Sequence, residues 1–169
     1  MKRGFWIAYI FLLMAQLLLS NYFHVTPYIF LTLLPVMVLC IPIRMGTLGA
    51  MFVAGLSGLV IDFLSEGVLG LNALALIPVA YARNGIIGFI FGPELFARKE
   101  DFSIGRCGFG KVAVALFLSL LIFLVIYIWA DGAGTRPLWF NGLRLGASLV
   151  ASFLLSLLTL GVLAPDPRK

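Results

Sequence analysis

A long apolar run that ends on a single acid constrains this chain more than any other feature. Residues 46–72 read GTLGAMFVAGLSGLVIDFLSEGVLGLN, and within them Gly46, Ala50, Ala54, Gly58, Asp62 and Glu66 recur at every fourth position. On a helix that spacing makes a slowly winding ridge, because four residues overshoot a turn of about 3.6. The first four members carry almost no side chain, so a neighbouring helix can approach this backbone closely, which is how helices associate in lipid. The ridge then reaches Asp62, a carboxylate that costs about 2.5–3.5 kcal/mol at the centre of a bilayer. An acid in such a place is a candidate functional group.

Composition makes lipid the solvent. Of the 169 residues, 62% are hydrophobic and 11% charged, with a mean hydropathy of +1.11. A soluble domain of that size cannot hide so much apolar surface, because its exterior must be largely polar. At about 20 residues per crossing, the chain allows at most six or seven spans with short loops and leaves no room for a separate soluble domain. The net charge is +5, but the basic residues flank apolar runs instead of clustering on a polar face. That pattern belongs to a membrane protein and not to a nucleic-acid binder.

The reading is an all-α, polytopic, single membrane domain over residues 1–169, with six spans near 5–20, 28–43, 46–64, 69–84, 112–129 and 143–163. Lys2 and Arg3 precede an apolar stretch that resembles a signal peptide, but no small-residue cleavage site follows, so it is read as a retained helix. Pro78 predicts a kink in the fourth span. That span ends either near Arg83 and Asn84, leaving 85–96 at the interface, or runs on to Phe91. The earlier end is favoured, because a deep arginine needs a partner and the sequence offers none.

With the N-terminus inside, the cytoplasmic segments hold Lys2, Arg3, Arg44, Arg98, Lys99, Arg106, Lys111, Arg168 and Lys169, against Arg136 alone in the outer loops, with Arg83 and Arg144 left out as near-terminal span residues. The positive-inside rule therefore places both ends in the cytoplasm. Trp6, Tyr9, Tyr28, Tyr127, Trp129 and Trp139 fall near span ends, where aromatic anchors belong. Cys40 and Cys107 fall on the cytoplasmic side and imply no disulfide.

Asp62, Asn72, Asn141 and Arg144 come out at similar depth near the outer leaflet, so a cluster of Asp62, Asn72 and Arg144 is expected to tie three helices together. The competing role, a proton relay or substrate anchor, would call for a second acid at that depth. None is there, since Glu66 falls in a loop and Asp131 at the outer end of the fifth span. The small-residue ridge packs either against the chain's own helices or against a partner's. Gly88 with Gly92 and Ala147 with Ala151 offer two further close-approach sites.

Catalytic signals are sparse. His24 sits in an outer turn with no acid or cysteine at metal spacing, and no phosphate loop, nucleophile elbow or zinc-protease motif occurs. Serines 57, 119, 148, 152 and 156 lie on apolar helices, where their hydroxyls are expected to bond to their own backbone. The loop over 98–111 reads as a solvated turn held at the anionic leaflet, or as a docking point for a cytoplasmic partner. No enzyme, metal or cofactor is indicated.

Gly58 and Asp62 in a Gly-x-x-x-Asp pattern, followed by Leu69-Gly70, Asn72, Ala73 and Tyr81, resemble the rod-shape-determining membrane protein family MreD. Pro27-Tyr28-Ile29-Phe30 and Leu33-Leu34-Pro35 look like that family's second span, and Tyr81 with Arg83 resembles the close of its fourth. The resemblance implies a small integral subunit of the bacterial cell-elongation machinery in the cytoplasmic membrane. It would associate with MreC, with the RodA glycosyltransferase and its penicillin-binding transpeptidase, and indirectly with MreB filaments. For Asp62 and Gly70 it implies structural importance. The family's arrangement is similar to the substrate-binding subunits of energy-coupling-factor vitamin transporters, which supplies the competing function. Those subunits dock through small residues on the first helix, whereas here that helix has only Ala8 and Ala15.

Overall fold

A computed structural model describes residues 3–22, 29–66, 68–92, 108–132 and 136–163. They form six α-helices: α1 (Arg3–Tyr22), α2 (Leu34–Cys40), α3 (Gly46–Ile61), α4 (Leu71–Phe91), α5 (Phe109–Gly132) and α6 (Leu138–Leu163). A 3-10 turn, Ile43–Met45, leads into α3, and a wide π-type turn, Asp62–Glu66, leads out of it. Four segments are long and apolar enough to cross a membrane: Ile43–Ser65, Leu71–Phe91, Phe109–Gly132 and Leu138–Gly161. A shorter apolar helix, Trp6–Tyr22, joins them.

The second expected span departs furthest from its expected form. In place of one helix over 28–43, residues 29–33 are non-helical and only Leu34–Cys40 is helical. Two prolines explain both limits. Pro35 has no N–H and is tolerated only in a first helical turn, so the helix cannot begin much before it. Pro42 disfavours helix at the residue before it, and Ile41 duly turns extended, at φ −56° and ψ 134°.

This broken segment occupies the centre of the bundle. Every residue from Thr32 to Leu39 is buried, and α2 packs against α1, α3, α4 and α5. The main core gathers Leu34, Met37 and Val38 with Leu76 and Val79 of α4 and Phe123 and Leu124 of α5. A smaller cluster joins Val36 and Leu39 to Leu116, Leu120 and Leu160.

The expected end of the fourth span, at 84, is also corrected. α4 continues through Pro78 to Phe91, where Gly92 stops it at φ +79°. No residue between Arg83 and Phe91 forbids helix, and Arg83 finds a partner at depth, as described below. α6 begins at Leu138, earlier than the expected 143. Lys2, His24, Tyr28, Arg98, Lys99, Arg106, Cys107, Arg168 and Lys169 lie outside the described residues, as does most of the loop over 98–111.

Candidate functional site

Three polar constructions are set into this apolar bundle. The first is the ridge and its acid. Ala50, Ala54 and Gly58 are buried, on a helix that packs most extensively against α4. A Cβ added at Gly58 would stand 2.6 Å from both Cα and N of Ala73, so the two backbones touch and only glycine fits. Gly46 departs from the rest of the ridge: it is exposed at the foot of α3, at φ +69°, and serves the turn. Thr47 near the start of α3 accepts from Asn84 near the far end of α4 at 2.7 Å, so the two helices run antiparallel.

Asp62 follows as α3 widens into its final turn, and it is fully buried. Its Oδ1 accepts the Asn72 backbone N–H at 3.0 Å and the Asn72 side-chain amide at 2.8 Å. Its Oδ2 accepts the N–H groups of Gly70 at 3.0 Å and Ala73 at 3.4 Å. The first N–H groups of a helix have no intrahelical acceptor, and the positive end of the helix dipole favours a carboxylate there. Asp62 thus caps α4 from the preceding helix. Gly70 makes this possible by taking φ +100° at the N-cap, a left-handed conformation that suits glycine.

Arg144 does not join this cluster, contrary to expectation. It pairs with Asp131 of α5 at 2.5 Å, and Arg136 shares the same carboxylate oxygen at 2.8 Å. Asn141 is buried near Gly132 of α5. Span positions do not tell which side of each helix faces which neighbour.

The second construction holds the broken segment. Backbone outside a helix lacks intrahelical partners, and each orphaned group is costly in hydrocarbon. Side chains from two flanking helices take its place. Ser148 of α6 accepts the Phe30 N–H at 2.8 Å. Ser152, one turn on, accepts the Thr32 N–H at 3.1 Å and donates to the Phe30 carbonyl at 3.1 Å. Gln16 of α1 accepts the Leu33 N–H at 2.6 Å and donates to the Leu31 carbonyl at 3.5 Å. Thr32 itself accepts the Leu34 N–H at 3.2 Å.

Alternate residues of an extended chain rise about 6.6 Å and residues four apart on a helix about 6 Å, so serines at i and i+4 match every second amide. The Phe30 ring stacks on Tyr127 at 4.2 Å and seals the end of the clamp. Ser148 and Ser152 therefore correct the expectation that these hydroxyls serve their own backbone. Ser57 and Ser119 do bond to their own helices, and Ser57 also receives the Tyr9 hydroxyl at 3.0 Å. Sequence reasoning passed over Gln16, although a lone amide in an apolar helix was the available signal.

The third construction is Arg83, buried in α4 about 12 Å from its end at Phe91. Its guanidinium donates to the carbonyl of Ile41. The last carbonyls of a short helix lack intrahelical donors, and their partial negative charge attracts a cation. The partner that Arg83 needed is thus a backbone oxygen exposed by Pro42, which no count of acidic residues reveals. Compared with known proteins, the chain matches no family model, no curated protein and no solved structure.

Proposed function

We propose that this chain is a non-catalytic integral subunit of a bacterial cell-elongation complex, of the MreD kind, lying in the cytoplasmic membrane. In this reading it crosses the bilayer six times with both ends inside, the broken second segment being one crossing. Its partners are a single-span MreC-type scaffold, the RodA glycosyltransferase with its penicillin-binding transpeptidase, and MreB filaments at one remove.

One observation carries the reading. Asp62, the acid on which any transport or proton-relay role would centre, is sealed and bonded to four N–H groups of the α4 start. That is the use a packing subunit makes of a carboxylate. The ridge is spent the same way, on α4, so partner contact falls to the exposed apolar faces of the other helices. The helix-to-helix alternation of α3 and α4 supports the proposed topology.

A second reading is favoured by the broken segment, because membrane carriers build substrate sites around discontinuous spans. Under it, the chain is the vitamin-binding subunit of an energy-coupling-factor transporter. In this chain the N–H groups of Phe30, Thr32 and Leu33 are already bonded within the bundle, which weighs against that use. Depletion of the protein in its own host separates the two. The first reading predicts rounded cells with normal vitamin uptake; rod-shaped cells with impaired uptake would replace it with the second.

A further inference from the structure

Where α5 gives way to α6, the bundle carries a compact excess of positive charge. Asp131 stands in the last turn of α5, Arg136 precedes α6, and Arg144 lies in the second turn of α6. Both guanidiniums donate to one atom, Asp131 Oδ2. Two cations on one carboxylate leave one positive charge over, and among the described residues neither arginine has a second acidic partner.

Each guanidinium offers five N–H donors in a planar fork that matches phosphate oxygens. The Arg136 side chain is 39% exposed, and its guanidinium lies 5.9 Å from the centre of the Phe140 ring, which holds it at the surface. Trp129, Leu138, Trp139 and Leu143 are exposed on the flanking turns. Tryptophans there suit the boundary between headgroups and acyl chains.

We infer that this end of the bundle binds the phosphate of an anionic membrane lipid. Arg136 grips the phosphate oxygens, Arg144, whose side chain is 12% exposed, stands behind it and adds its charge, and the exposed indoles and leucines lie along the acyl chains. Asp131 keeps the two guanidiniums side by side and at the same time competes with the phosphate for their donors. The apolar rim selects a lipid over a free phosphate ion, and the surplus charge selects an anionic headgroup over a zwitterionic one.

Native mass spectrometry of the full chain, delipidated in detergent and then titrated with phosphatidylglycerol or phosphatidylcholine of equal acyl length, tests this. One phosphatidylglycerol is expected to be retained about fivefold more strongly than phosphatidylcholine, the factor that one arginine's attraction provides at an anionic surface. Arg136→Gln should remove that preference, and Asp131→Asn should strengthen it by withdrawing the competing carboxylate. Arg44→Gln, an exposed cation beyond α2, should leave it unchanged. Equal retention of the two lipids would overturn the assignment, as would an Arg44→Gln loss as large as that of Arg136→Gln. Displacement of the lipid by millimolar inorganic phosphate would overturn it too, reassigning the arginines to a free anion.

Discussion

Replacing Asp62 by Asn keeps the size of the side chain and removes half of its acceptor capacity. In the native protein four N–H groups converge on the two carboxylate oxygens. The amide retains one oxygen, so one pair of donors must face an NH2 group instead. The less damaging orientation keeps Asn72 bonded and abandons Gly70 and Ala73. A buried donor left without an acceptor costs about 1–3 kcal/mol. The Ala73 bond is long at 3.4 Å and Gly70 is only partly buried, so each falls low in that range. Losing the carboxylate's attraction to the helix start adds about 0.3–1 kcal/mol. The sum is about 2–4 kcal/mol of lost stability in a protein that still inserts.

Equilibrium unfolding in mixed micelles, with rising detergent denaturant, reads that difference directly. Asn72→Ala removes the amide donor at 2.8 Å together with a buried Oδ1 that has no partner and should cost about 0.5–1.5 kcal/mol, and the double variant should fall short of the sum. If Asp62→Asn unfolded within about 0.5 kcal/mol of the parent, the scatter of ordinary surface changes, the cap would be idle and the reasoning wrong.

Other substitutions probe the remaining constructions in the same assay. Gly58→Ala drives a methyl into the Ala73 backbone and should cost about 1–3 kcal/mol, whereas Gly49→Ala, whose Cβ meets only Met45 at 3.6 Å, should be neutral or stabilising. Ser152→Ala strips the Thr32 N–H of its acceptor and should cost about 1–3 kcal/mol. Ser156→Ala, one turn further along α6, removes a buried hydroxyl that has no partner and should be neutral or stabilising. Gln16→Leu orphans the Leu33 N–H, so backbone hydrogen exchange should rise at Leu33 while the far end of α5 keeps its protection.

The parts of this fold legible in the sequence are those set by spacing along one helix. The burial of Ala50, Ala54 and Gly58 on one face follows from their fourfold repeat, and Asp62 falls at the end of the same line. The broken second segment was within reach, because Pro35 and Pro42 forbid one continuous helix over 28–43 and bracket its helical turn. Hydropathy hid it by marking the whole of 28–43 as apolar.

Rotations of one helix about its axis relative to another were not legible. That is why position along the spans points Arg144 to Asp62, whereas Asp131 on the adjacent helix end binds it. Partners that are backbone atoms were equally hidden. Arg83 bonds to a carbonyl at the end of α2, and Ser148 and Ser152 bond to an extended segment more than a hundred residues away, as the sequence separations of 118 and 120 record. Such bonds exist only once the bundle has assembled.

Quantitative affinity purification from the host's solubilised membranes bears most directly on the proposed function. The account predicts that a single-span MreC-type scaffold is recovered with this chain in near-equal amount, and that the yield survives Asp62→Asn once the variant is folded. Recovery of an ATPase module or a tightly held vitamin in the scaffold's place would contradict it.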